Sequence, residues 1–202
     1  MALDQRHPLL LGSASPRRRE LLEALGLSLL LRPSHIEEPE PDGQGPEAYA
    51  RALAERKVAA VVERARADRE AGFVLGADTI VVIDGAVLNK PQGDDDARRM
   101  LRLLQGRTHH VITAVCVRGV DAPAGRTIAA RTAVTFRALD DHALAAYAAS
   151  GEGRDKAGSY AIQGLGAAVV RAVEGSYTNV VGLPLAETVD LLLEAGVLGS
   201  FP

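Results

Sequence analysis

"FVLGADTIVVIDGAVLNKP", residues 73 to 91, decides the fold. A long apolar run, an Asp-Gly pair and a short second run read as a strand, a tight turn and a return strand. The first run is apolar enough to be buried on both faces. Asp78 interrupts it, and a carboxylate there is costly unless a metal, a cation or a hydrogen-bond network holds it. Strand alternation puts Asp78 on one face with Val74, Ile80 and Val82, and Thr79 on the other. Asp78 reads as a general base or a metal ligand, or else as a cap on a neighbouring loop. Asp84 needs only its role in the turn.

Working outward, "PLLLGS" and "LSLLLRPS" read as short strands on either side of a helix, "SPRRRELLEALG". Ser15 is placed as its N-cap, Pro16 at the first helical position and Gly26 at its stop. The loop "HIEEPEPDGQGPE" leads into a long helix from about Pro46 to Ala71. Beyond the hairpin, "DDDARRMLRLLQG" is a helix, and "HHVITAVCVRGV" and "RTIAARTAVTFRAL" are strands joined by the "DAPAG" turn. "DDHALAAYAASG" is a helix capped by Asp140, "RDKAGSYAIQGLG" a glycine-rich loop, "AAVVRAVEG" a strand and "PLAETVDLLLEAG" a terminal helix opened by Pro184. Hairpins and crossovers together predict an α/β fold with a mixed sheet.

The chain's 202 residues suit one domain with its own core. A hydrophobic share of 47% argues against disorder. Aromatics are 3%, Trp is absent and the net charge is -3, so nucleic acid and anionic membranes are not expected partners. Cys116 is the only cysteine, which excludes an internal disulfide and a Cys-based zinc site. No signal-peptide or membrane-spanning run is present, and a soluble cytoplasmic protein is expected.

Several side chains could carry chemistry. Leu21, Leu22 and Leu25 define the buried stripe of the first helix; Arg18 falls within it, Arg17 at its edge, and Arg19 and Glu20 elsewhere. With the helix N-terminus this makes a phosphate cradle, or else a solvated face with a structural ion pair. Lys57 flanks the stripe of Tyr49, Leu53 and Ala60, and Lys90 ends the return strand. Each could meet a phosphate or simply lie along the surface. Glu37 and Glu38 are solvated loop charge, or with Asp78 an oxygen site for Mg²⁺ or Mn²⁺. The glycine-rich loop offers Asp155, Lys156, Tyr160 and Gln163, the last with the donors and acceptor that nucleobase-edge recognition needs. His109 and His110 precede a strand and receive no role. Ser13 and Ser15 form no nucleophile elbow, and no Walker A pattern occurs.

Seven blocks, "SASPRRRELL", "SHIEEPEP", "LAERKVAAV", "GADTIVVIDGAVLNKP", "GRTHHVITAV", "DKAGSYAIQGLGAAVV" and "GSYTNVVGLPLAET", resemble the Maf family in order and spacing. The resemblance runs from about Leu9 to Leu192. It implies one Maf-like domain over residues 1 to 202, a mixed twisted sheet with flanking helices, and two lobes around a deep groove, related to the inosine triphosphate pyrophosphatases. It implies hydrolysis of a nucleoside triphosphate to monophosphate and pyrophosphate with Mg²⁺, Mn²⁺ or Co²⁺, a house-cleaning role and possible control of cell division. It also implies a homodimer. By resemblance Asp78 is the catalytic acidic residue, a proton acceptor, Arg17, Thr79 and Gln163 select the substrate, and Ser13, Ser15, Arg18, Lys57 and Lys90 bind phosphate and substrate. Glu38 and Asp78 would hold the metal. "SPRR", "GADT" and "AIQG" resemble the branch acting on dTTP and UTP rather than on 7-methyl-GTP. Asn89, where Gly is usual, and "LGSAS" depart from the pattern. A modified pyrimidine nucleotide is a further substrate reading. The other reading is a nucleotide-sensing regulator of septum formation without catalysis.

Overall fold

The computed structural model describes residues 3–200. Seven strands form one mixed sheet: β1 (Leu9–Leu11), β2 (Leu29–Leu31), β3 (Phe73–Ile83), β4 (Ala86–Leu88), β5 (Thr108–Gly119), β6 (Arg126–Phe136) and β7 (Val170–Glu174). Their order is β2-β1-β3-β5-β6-β7, with β4 also on β3. β1 runs parallel to β2 and β3, and every other pairing is antiparallel. The β3–β4 hairpin turns at Asp84 (φ 52°) and Gly85 (φ 78°), the two positive φ values of the expected Asp-Gly turn.

Six helices flank the sheet: α1 (Pro16–Ala24), α2 (Pro46–Ala67), α3 (Asp94–Leu104), α4 (Asp141–Ala149), α5 (Tyr177–Val181) and α6 (Leu185–Glu194). Four readings need correction. α2 stops at Ala67 rather than Ala71, because Arg69 takes φ 56° and turns the chain toward β3. On its buried stripe Val61 replaces Ala60, which is half-buried. His109 and His110 lie inside β5, as the strand reading of "HHVITAVCVRGV" has it, and do not precede a strand. α5 was not foreseen. Ser15 holds the N-cap position of α1, but its side chain makes no capping bond.

Burial divides the molecule into three cores. On one sheet face α2 covers Leu10, Val74, Ile80, Val82 and Ile112. On the other face, a cluster with Leu22, Leu75, Leu183 and Leu192 packs under α1 and α6. Further along that face, Val81, Leu101, Phe136, Leu144 and Tyr160 pack under α3 and α4. Along β3 the side chains of Leu75 and Ala77 belong to the second cluster and those of Val81 and Ile83 to the third. Thr79 falls between them. Its register partner on β5 is Thr113, likewise between Val111 and Val115. A polar seam thus splits this face into two packed bodies.

The seam is hydrogen-bonded at its core, with Asn179 Oδ1 the one seam side-chain atom left buried and unpartnered among the described residues. The Thr79 and Thr113 hydroxyls are 2.9 Å apart, and Thr113 Oγ1 donates to the Asn179 carbonyl (3.0 Å). Asn179 Nδ2 donates to Val111 O (3.1 Å) and Thr132 Oγ1 (2.9 Å), tying α5 to β5 and β6. Buried hydroxyls and amides of this kind are tolerated only when so paired.

A gap in the sheet sets the site. β5 occupies one edge of β3 from Phe73 to Val82. On the other edge β1 pairs with Phe73–Leu75 and β4 with Val81–Ile83. Between them Gly76 to Ile80 have no strand beside them. Ligands of α/β sheets collect outside the carboxyl ends of parallel strands, and here that place is the end of β1, opposite Asp78 and Thr79. Among the described residues, no helix is long and apolar enough to cross a membrane.

Candidate active site

The gap opens into a cavity of about 400 Å³. It is lined by the turn from β1 into α1, the acidic loop, Lys57, Asp78, Thr79, Lys90, the loop around Gln163 and the end of α5. Every residue given a catalytic, substrate-binding or metal role by the resemblance lines this one cavity, while Glu37, Arg19, His109 and His110 lie outside its lining.

Asp78 is 5% exposed on the α2 face. Lys57 Nζ lies 2.5 Å from Asp78 Oδ1 and 2.6 Å from Glu38 Oε1. One ammonium therefore joins both carboxylates, and this is the compensation that a charge inside β3 requires. Lys57 is neither a snorkelling surface lysine nor an unpaired phosphate ligand. Its ion pairs engage one oxygen of each carboxyl group. Burial pushes the Glu38 carboxyl toward neutrality, but the Lys57 hydrogen bond and charge, with Lys90 and Arg18, outweigh it and hold Glu38 below the usual carboxylate range. The acidic loop reaches this position because the Tyr49 hydroxyl donates to Pro39 O (2.8 Å).

Arg18 is held differently. Its Nε donates to Gly182 O (2.8 Å), Nη1 to Ser13 Oγ (3.1 Å) and Nη2 to Thr79 Oγ1 (3.0 Å). Every acceptor is neutral, so the guanidinium is fixed in place while no ion pair among the described residues neutralises it. Burial lowers its proton affinity; Asp78 raises it, Arg17 lowers it and Glu38 raises it. The hydroxyl chain from Arg18 through Thr79 and Thr113 to the Asn179 carbonyl ends in the seam.

The other candidates take separate places. Arg17 reaches across the cavity to Asp155 (3.7 Å), which Lys156 holds at 2.5 Å. Burial would raise the Asp155 carboxyl, but the Lys156 bond and charge, with Arg17, hold it low. Arg19 points outward to Glu23 (2.7 Å). Lys90 lines the cavity without an ion pair among the described residues. Ser13 accepts from Arg18 and from Ser15 N–H, while the Ser15 side chain makes no bond. Gln163 stands exposed at the rim, just before a 3-10 turn spanning Gly164–Ala168. The backbone carbonyl of Asn89 accepts from Gly158 N–H (3.2 Å) and joins the end of the return strand to the glycine-rich loop, a bond that does not depend on the side chain at position 89.

Three contributors escaped the sequence reading. Gly182 supplies an acceptor to Arg18, Asn179 anchors the seam, and Val81, Val111, Ile162 and Val180 join Tyr160 in making one end of the cavity apolar. The "NVVG" stretch of residues 179 to 182 carried no charge to mark it.

No group of three or more His, Cys, Asp or Glu residues that could hold a metal is present among the described residues. A pair of carboxylates is nonetheless the donor set that a Mg²⁺-like ion uses when a polyphosphate supplies the remaining oxygens. Glu38 and Asp78 fit that requirement.

A family model described as Maf-like protein matches residues 8–195. The chain is 51% identical over 191 residues to a protein of Moorella thermoacetica named dTTP/UTP pyrophosphatase, covering 94% of this chain and 95% of the relative. It is 50% identical over 190 residues to the protein of that name from Anaeromyxobacter dehalogenans, covering 93% and 94%. A third, from Nitratidesulfovibrio vulgaris, is 47% identical over 194 residues, covering 95% and 90%.

Proposed function

The chain belongs to the Maf-like protein family, and from that premise we propose that it hydrolyses dTTP and UTP to the monophosphate and pyrophosphate. The observation that carries this reading is a cavity with two kinds of charge. Arg18 offers a fixed, uncompensated cation, and Lys57 holds two carboxylates beside it. The relatives' shared name supports the substrate class.

In this reading Arg18, Lys90 and Arg17 receive the negative triphosphate chain, with Ser13 fixing the Arg18 fork. Asp78 orients and deprotonates the attacking water through the oxygen that Lys57 leaves open. Water adds at the α-phosphorus, the bond from that phosphorus to the α,β-bridging oxygen breaks, and pyrophosphate leaves. Lys57 bridges Asp78 and Glu38 and holds both carboxyl groups at one place. A divalent Mg²⁺, Mn²⁺ or Co²⁺ ion held by Glu38 and Asp78 would supply charge neutralisation on the phosphate oxygens. Fixed charges aimed at the phosphoryl oxygens are the largest contribution. The apolar end of the cavity takes the base, and the Gln163 amide meets its edge. One Maf-like domain acting as a cytoplasmic homodimer completes the proposal.

Asp78→Asn tests it. Monophosphate and pyrophosphate release from dTTP and UTP is expected to fall by roughly 10²–10⁴-fold, the usual worth of a general base, with an unchanged circular dichroism spectrum. Near-full turnover by the folded variant would remove Asp78 from that role. Nucleotide binding without product by the wild type, with any of the three metals, would favour a regulator.

A further inference from the structure

Gln163 has no side-chain hydrogen bond among the described residues, yet its backbone is tightly held on both sides. Two residues before it, Ala161 N–H donates to the Tyr147 hydroxyl (3.0 Å). After it, Leu165 N–H donates to Glu152 Oε1 (2.9 Å) and Gly166 N–H to Glu152 Oε2 (2.8 Å). The Tyr147 hydroxyl donates in turn to Glu152 Oε2 (2.9 Å). Both flanks of Gln163 thus close on one phenol–carboxylate pair.

That pair is itself anchored. Tyr147 is buried in the core under α3 and α4. Glu152 N–H donates to Ser150 Oγ (3.3 Å), and Lys156 Nζ donates to Glu152 O (2.5 Å). The loop sequence is shaped to admit the pair. Gly164 takes φ 62°, and a Cβ there would lie 2.0 Å from Glu152 Oε1. A Cβ at Gly166 would lie 1.9 Å from Ala161 O and 2.7 Å from the Tyr147 hydroxyl. Burial opposes ionisation of Glu152, but the bonds from Tyr147, Gly166 and Leu165 and the Lys156 charge together hold its carboxyl low. Hydrogen bonds to an ionised acceptor are about twice as strong as neutral ones.

We infer that Glu152, seated by Tyr147, is the positioning residue that holds Gln163 at the height where its amide meets the nucleobase, and so sets base selection. The inference rests on the reading of Gln163 given above. UTP and CTP share sugar and triphosphate and differ only on the base edge, so the ratio of their kcat/KM values isolates base reading. Glu152→Gln keeps the size but turns an amide N–H toward donors, and Tyr147→Phe removes the hydroxyl. Both variants are expected to lower the UTP-to-CTP ratio about tenfold or more, because a misplaced polar group loses its discrimination. The loss should fall on that ratio and on KM for UTP more than on kcat for UTP.

Gln163→Ala is measured alongside. If it lowers the ratio while Glu152→Gln and Tyr147→Phe do not, the positioning inference is overturned and the Gln163 reading stands. If Gln163→Ala leaves the ratio unchanged, the Gln163 reading fails and the inference fails with it. A lower melting temperature in Glu152→Gln with an intact ratio would make the carboxylate merely structural and also overturn the inference. Should Glu152→Gln not fold, Tyr147→Phe is judged by the same ratio.

Discussion

Arg18 gives its bonds to neutral acceptors and Lys57 gives its own to two carboxylates. The two cations are therefore held differently: Lys57 joins two acids, and in the proposed function Arg18 meets the incoming anion. Helix geometry was enough to separate the three consecutive arginines. Arg18 lies over the buried stripe, Arg17 at its edge, and Arg19 faces solvent with Glu23. The partners of Arg18 were not legible, because Thr79 and Gly182 stand 61 and 164 residues further on. Arg18→Lys keeps the charge but loses the planar fork. Losing such a bond costs about 1.5–3 kcal/mol, so kcat/KM on UTP should fall roughly 10- to 100-fold in steady-state assays. An unchanged value would mean that the fork does not shape the site.

At the scale of elements, the site depends on how closely α2 lies on β3. Gly76 allows it: a Cβ there would come 2.7 Å from Val58 Cγ2 and 3.4 Å from Val58 N. Val58 follows Lys57, so a methyl group at Gly76 should lift the lysine from Asp78. Gly76→Ala is expected to cost about 1–3 kcal/mol in urea denaturation, as overpacking does, and to lower activity along with it. A variant of full stability and activity would show that the helix can shift freely. The β3–β4 hairpin was legible because its apolar runs and Asp-Gly turn agree locally. α5 was not, since "YTNVV" is too short for its period to distinguish helix from strand. The end of α2 was misplaced because a positive φ at Arg69 leaves no apolar signature. Glu152 was passed over because its partners are backbone N–H groups of another loop, which sequence pattern does not mark.

In the whole molecule, the polar seam and the sheet gap are one arrangement. Thr79 and Thr113 divide the face of the sheet into two packed bodies, and the missing rungs beside Gly76–Ile80 open the cleft between them. Asp78 points through one face and Thr79 through the other, so adjacent residues of one strand address the acidic and the basic parts of the cavity. The sequence blocks implied two lobes and a groove; the seam that makes them is a matter of which threonines align across strands. In the proposed reaction, water held by Asp78 attacks the α-phosphorus. Hydrolysis of UTP in ¹⁸O-labelled water, read by mass spectrometry, tests it most directly. The label should appear in UMP and not in pyrophosphate; label in pyrophosphate, or in released orthophosphate, would contradict the account.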